Sequence, residues 1–136
     1  MKRESPGSSA LLFPEHCRNG RGDRDMSDEL IVFVTVPSGE DASRIGEALV
    51  SEKLAACVNV VPGIESIYRW EGKVARDAEW LLIIKTTDER FEEMERRVKG
   101  LHSYTTPEVI ALKISRGSAE YLKWLRGAVT PDEVQG

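Results

Sequence analysis

"IESIYRWEGKVARDAEWLLIIKTT", Ile64 to Thr87, reads as two strands joined at Glu71-Gly72. Before the joint the side chains alternate. Ile64, Ser66, Tyr68 and Trp70 share one face and Glu65, Ile67 and Arg69 the other, which is the two-residue period of a strand. Glu71-Gly72 is a tight hairpin signal. On the return, Trp80, Leu82 and Ile84 point one way and Leu81 and Ile83 the other. A strand apolar on both faces is expected to be buried on both.

Reading outward from the hairpin completes the pattern. "ACVNVV" extends the first strand backwards through Pro62-Gly63, so that Ala56 to Trp70 is extended throughout. "ELIVFVTVP" (Glu29–Pro37) is a β-branched run of strand length. "SGED" (Ser38–Asp41) has capping-box character, and Ala42, Ile45 and Leu49 form the apolar stripe of a helix to about Lys53. Thr86 to Glu89 has the same spacing and predicts a second helix with Phe91, Met94, Val98 and Leu101 on its inner face. "PEVIALKIS" is a last strand and "AEYLKWL" (Ala119–Leu125) a short amphipathic helix. The order β-α-β-β-α-β-α, with crossover helices on one face of an antiparallel sheet, is the α+β ferredoxin-like split βαβ arrangement with an added C-terminal helix.

Fifteen extended residues from Ala56 to Trp70 span roughly 50 Å, whereas a domain of this size is about 35 Å across. The hairpin is therefore expected to overshoot its own domain, with Pro62-Gly63 bending it. Its far end carries Tyr68 and Trp70, two of only nine aromatic side chains. Large aromatics on an unpaired ribbon predict a second subunit that covers them and pairs the exposed edges.

Bulk properties set the remaining bounds. A chain of 136 residues makes one domain with its own core. Residues 1–25 lack a helical or strand period and are expected to be a disordered extension before a domain at 26–136, with Met26 a candidate natural start. The net charge of −4, with no Lys/Arg cluster in the patterned region, argues against nucleic acid or an anionic membrane as partner. The apolar run near the N-terminus is only "ALLF", far short of the roughly 7–15 residues of a secretory signal. Two cysteines, Cys17 and Cys57, without CxxC spacing predict a reducing, cytoplasmic setting.

Candidate chemistry is sparse. The soft or borderline metal ligands are His16, Cys17, Cys57 and His102, and none has structural-zinc spacing. Adjacent His16-Cys17 suits adventitious copper. A Cys57–His102 hydrolase lacks a glycine elbow around the thiol, so no enzyme is expected. Lys85, His102, Tyr104 and Glu108 offer polar groups suited to a small-ligand pocket.

"TVPSGEDASRIGEALVSEKLAACVNVVPGIESIYRWEGK", "KTT", "LHSYTTPEVIALKI" and "YLKWL" together resemble the CutA1 family of divalent-cation tolerance proteins, over about residues 29–125. The resemblance implies a tight homotrimer, similar in architecture to PII signalling proteins, whose long strands reach neighbouring subunits. It implies a candidate intersubunit cleft at Cys57, Tyr68, Trp70, Lys85, His102, Tyr104 and Glu108. It further implies a non-enzymatic binding or signalling role linked to copper or another divalent cation. Some members carry Cys where this chain has Val34 and His where it has Leu101, which leaves His102, with Cys57 or Glu108, as the metal candidate. The alternative is a trimeric sensor of a small organic anion with incidental metal binding. Lys85 separates the two, since an ammonium repels a bare cation and anchors an anion.

Overall fold

The computed structural model describes residues 28–132, so the expectations for residues 1–25, for Met26 and for His16-Cys17 lie outside the described residues. Its elements are β1 (Glu29–Val36), α1 (Gly39–Ser51), β2 (Cys57–Trp70), β3 (Lys73–Thr87), α2 (Asp88–Leu101), β4 (Val109–Lys113) and α3 (Ala119–Ala128). The strands form one sheet in the order β2-β3-β1-β4, every neighbouring pair antiparallel. This is the expected ferredoxin-like arrangement.

The β-branched run of β1 makes it the central strand. Val32, Val34 and Val36 are fully buried on the face that α1 and α2 cover, where they meet Leu82 and Ile84 of β3 and Ile45, Leu49, Met94 and Val98 of the helices. Ser38 caps α1 by accepting the Asp41 amide at 3.1 Å, as the sequence predicts. The second capping box does not form. Thr86 remains in β3 opposite Leu30, and its buried hydroxyl donates to the Leu54 carbonyl at 2.7 Å. α2 starts two residues later, and its Asp88 amide donates to the Asp28 carbonyl. Strand pairing, extended to Thr87, takes precedence over the local cap.

The other face is only half covered. Ile31, Phe33, Leu81 and Ile83 are intermediate in burial, so the expectation that β3 is buried on both faces holds on the helix side only within one protomer. Ile110 and Leu112 of β4, on the same face by register, are 53% and 56% exposed. α3 crosses one end of this face, where Arg126 forms an ion pair with buried Glu29.

The hairpin overshoots as expected. β1 ends opposite Trp80, while β2 and β3 remain paired from Ile64/Glu79 to Trp70/Lys73. That leaves a two-stranded ribbon of roughly 20 Å beyond the four-stranded sheet. Its turn is of the I′ kind, with φ of 53° at Glu71 and 79° at Gly72. Pro62-Gly63 is a bulge, the register stepping from Val61↔Leu81 to Ile64↔Glu79, with φ of 71° at Gly63. One extra residue exchanges the faces of everything beyond it. Cys57, Asn59 and Val61 lie on the open face before the bulge, and Ile64, Ser66, Tyr68 and Trp70 lie on it afterwards.

A Cβ at Gly63 would meet nothing within 4 Å, so Gly63→Ala tests the backbone conformation alone. It should lower stability by about 1 kcal/mol, whereas Gly127→Ala, equally open but helical, should be neutral or stabilising by up to about 1 kcal/mol. Chemical denaturation of the two variants checks the opposite signs.

Candidate functional site

The open face carries two polar stations with an apolar floor between them. One lies at the root of the hairpin. Glu79 is completely buried there, and its carboxylate accepts from the Ser66 hydroxyl at 2.6 Å and from the Tyr104 hydroxyl. Two residues along β3, the half-buried Asp77 accepts from the Tyr68 hydroxyl. A carboxylate without water needs donors, and these come from β2 and from the loop that follows α2.

That loop is set by His102. Its Nδ1 accepts the Tyr104 amide at 3.0 Å, which places the ring proton of the neutral imidazole on Nε2, and Nε2 donates to the Thr35 carbonyl at 2.8 Å. The ring also lies against Tyr104, centroids 4.7 Å apart. His102 thus fixes the end of β1 and aims Tyr104 at Glu79.

The second station is at the α3 end. Cys57 stands opposite Lys85 in the β2–β3 register. The Lys85 ammonium donates to Asn59 Oδ1, and the Cys57 Sγ is 3.9 Å from the same oxygen. Tyr121 of α3 reaches the thiol. Burial, followed by the charge and hydrogen bond of Cys57, pushes its phenol above the usual range. Trp124 lies against Tyr121, ring centroids 5.4 Å apart.

The seven residues singled out in the sequence therefore divide. Cys57, Lys85, Tyr68 and Trp70 lie on the open face, and Tyr104 reaches it. Cys57 and Lys85, however, occupy one end and Tyr68, Trp70, His102 and Tyr104 the other. Lys85 and Glu79 are six residues apart on β3, roughly 20 Å. Glu108 is half-buried in the same loop as His102 and Tyr104. Glu79, Asp77, Asn59, Tyr121 and Trp124 belong to these stations and escaped the sequence reading. The signals were present: carboxylates at i and i+2 in a strand, an Asn inside an apolar run, and two aromatics one helical turn apart.

Neither station fits a resident copper ion within one protomer. Both nitrogens of His102 are committed to the backbone. The Cys57 thiol has an ammonium across the strand, and among the described residues no three His, Cys, Asp or Glu side chains converge as ligands.

The family model for the CutA1 divalent ion tolerance protein matches residues 30–128. The chain belongs to the CutA1 family. A divalent-cation tolerance protein CutA of Thermus thermophilus is 57% identical over 98 residues, covering 72% of this chain and 95% of its own length. The chloroplastic protein CutA 1 of Oryza sativa is 54% identical over 142 residues, covering 94% and 80%. The crystal structure of CutA1 from Oryza sativa superposes with a TM-score of 0.75 at 50% identity, over 78% of this chain and 97% of that one. The family model and the Thermus thermophilus relative bear names that describe divalent-cation tolerance and not a reaction. No described helix is long and apolar enough to cross a membrane.

Because Glu79 is completely buried and Asp77 only half-buried, their partners should differ in weight. Tyr104→Phe should cost about 2 kcal/mol, as expected for a hydrogen bond to a buried charge, and Tyr68→Phe less than about 1 kcal/mol. Denaturation midpoints at one fixed protein concentration compare them; equal losses would contradict the assignment of Glu79 as the buried anchor.

Proposed function

We propose that this chain acts as a homotrimer in tolerance to divalent cations, copper among them, through a binding or signalling role and without a chemical step of its own. The observation that carries the reading is the open sheet face. Ile110 and Leu112 are exposed beside Phe33, Leu81 and Ile83, and a ribbon projects past them with Tyr68 and Trp70 on the same side. An apolar sheet face flanked by two unpaired edges and an overhanging ribbon is suited to association with further copies of itself.

Copper enters this reading as an ion to which the assembly responds. Cys57 is the free cysteine among the described residues, and it would need donors from another protomer to complete a set. The free thiol also supports a cytoplasmic setting as part of the proposal.

Light scattering should return about three times the 15.2 kDa protomer mass. Ile110→Asp with Leu112→Asp should reduce it to one protomer, because both positions are exposed in the single chain and charges there oppose only the association. Trp70→Ala should loosen the assembly as well as the protomer. An Ile110/Leu112 variant that keeps its mass would place the interface elsewhere. Anaerobic Cu(I) titration of the same samples should show binding by the assembly, lost on Cys57→Ser; titration unchanged by that substitution would remove Cys57 from the reading.

A further inference from the structure

From His102 to Glu108 the chain is neither helix nor strand, and side chains pin it to its surroundings. Arg44 of α1 donates to the Leu101 carbonyl at 3.0 Å, and the Ser103 hydroxyl donates to Asp41 of the same helix at 3.2 Å; both contacts are exposed. The buried contacts belong to His102 and Tyr104, which are 9% and 6% exposed. Nδ1 of His102 accepts the Tyr104 amide, Nε2 donates to the Thr35 carbonyl, and the Tyr104 hydroxyl donates to fully buried Glu79. One imidazole therefore holds the loop on the sheet.

That arrangement admits one protonation state. A neutral imidazole has one acceptor and one donor, whereas an imidazolium has two donors. A proton on Nδ1 would set an N–H against the Tyr104 N–H 3.0 Å away and leave a charge where little water reaches it. The ring would have to withdraw, and the Tyr104 amide would lose its acceptor. Histidine is the side chain whose ordinary range, about 6.5, lies between pH 5 and 8, and His102 is the one histidine among the described residues.

Charged groups on the surrounding elements act on the same proton. Asp77 and Glu79 of β3, Glu108 of the loop and Asp41 of α1 attract it, while Arg44 of α1 and Lys99 in the last turn of α2 oppose it. Glu79 accepts from Tyr104 and Ser66, Asp77 accepts from Tyr68, and Asp41 and Lys99 pair with Arg44 and Glu95. The surplus of carboxylates keeps protonation within reach of mild acid, although burial and the amide resist it.

We propose that His102 is an acid-sensitive lock: the neutral ring holds Tyr104 on Glu79, and protonation in mild acid releases residues 102–108 from the hairpin root. Glu79 then loses its Tyr104 donor. The contribution of the lock to stability is complete above the imidazole range and is lost as the pH falls through it. The lock does not depend on a metal, since both nitrogens of the ring are used by the backbone. It lies within one protomer and stands independently of the homotrimer.

The test uses the full chain, isotope-labelled, with the ring nitrogens of His102 and His16 read separately by NMR. At about pH 7.5 the His102 ring should carry its proton on Nε2 and leave Nδ1 bare. Down to about pH 5 the His102 ring, the Tyr104 amide and the Glu79 carboxyl carbon should shift with one common midpoint. Exchange of the Tyr104 amide with solvent, corrected for the intrinsic effect of pH, should quicken at least about tenfold. His102→Asn keeps a side-chain acceptor two residues before the Tyr104 amide and takes up no proton, so the joint response should vanish there. Were that variant unfolded, the titration of the native chain still decides. In Tyr104→Phe the ring should titrate and the Glu79 carbon should no longer follow it. A proton on Nδ1 at about pH 7.5, a ring that titrates while Tyr104 and Glu79 stay in place, no titration above about pH 5, or a joint response that persists in His102→Asn would each overturn the proposal.

Discussion

A sheet has two faces, and this chain supplies crossover helices for one of them. In a split βαβ repeat both crossovers turn the same way, because a right-twisted strand feeds a right-handed helix back onto the same side. The four strands therefore leave Ile31, Phe33, Leu81, Ile83, Ile110 and Leu112 on a surface that α1 and α2 cannot reach. α3 covers only the end near Glu29. Much of what distinguishes this chain follows from that imbalance. The polar stations, the overhanging ribbon and the apolar floor all lie on the side that its own helices leave open.

The bulge at Pro62-Gly63 determines what the ribbon presents there. Without the extra residue Tyr68 and Trp70 would lie on the helix side of the sheet plane, and Ile67 and Arg69 would face the open side. With it, Ser66 comes opposite Asp77 and within reach of Glu79, and the aromatics extend the open face beyond the end of β1. Glu79 then joins β2, β3 and the loop from His102 to Glu108 through two hydroxyl donors. The polar end of the face and the register of the ribbon are in this way one structure.

The two stations have opposite electrostatic character on one surface. Carboxylates with hydroxyl donors occupy the hairpin root, and an ammonium with an amide and a thiol occupies the α3 end. A residue count along β2 or β3 keeps them apart in a single protomer. A cleft that contained all seven residues singled out in the sequence would have to join the end of one chain to the other end of its neighbour. That requirement agrees with the homotrimeric reading, in which the face is shared between chains.

Local sequence determined the elements. Period-two alternation marked the hairpin from Ile64 to Thr87, Glu71-Gly72 specified its turn, Ser38 capped α1, and the length of Ala56–Trp70 alone implied the overhang. These depend on contacts between near neighbours or on chain geometry, which a linear pattern records. The tertiary structure decided which partners those residues met. Thr86 exchanged a helix cap for the Leu54 carbonyl, His102 exchanged metal-ligand capacity for two backbone partners, and Glu79 became an anchor only once Ser66 and Tyr104 arrived from distant positions. Asn59 became the partner of Lys85 for the same reason. Hydrogen-bond satisfaction in a desolvated place depends on groups far apart in the chain, and the spacing of residues along a strand or helix carries no record of them.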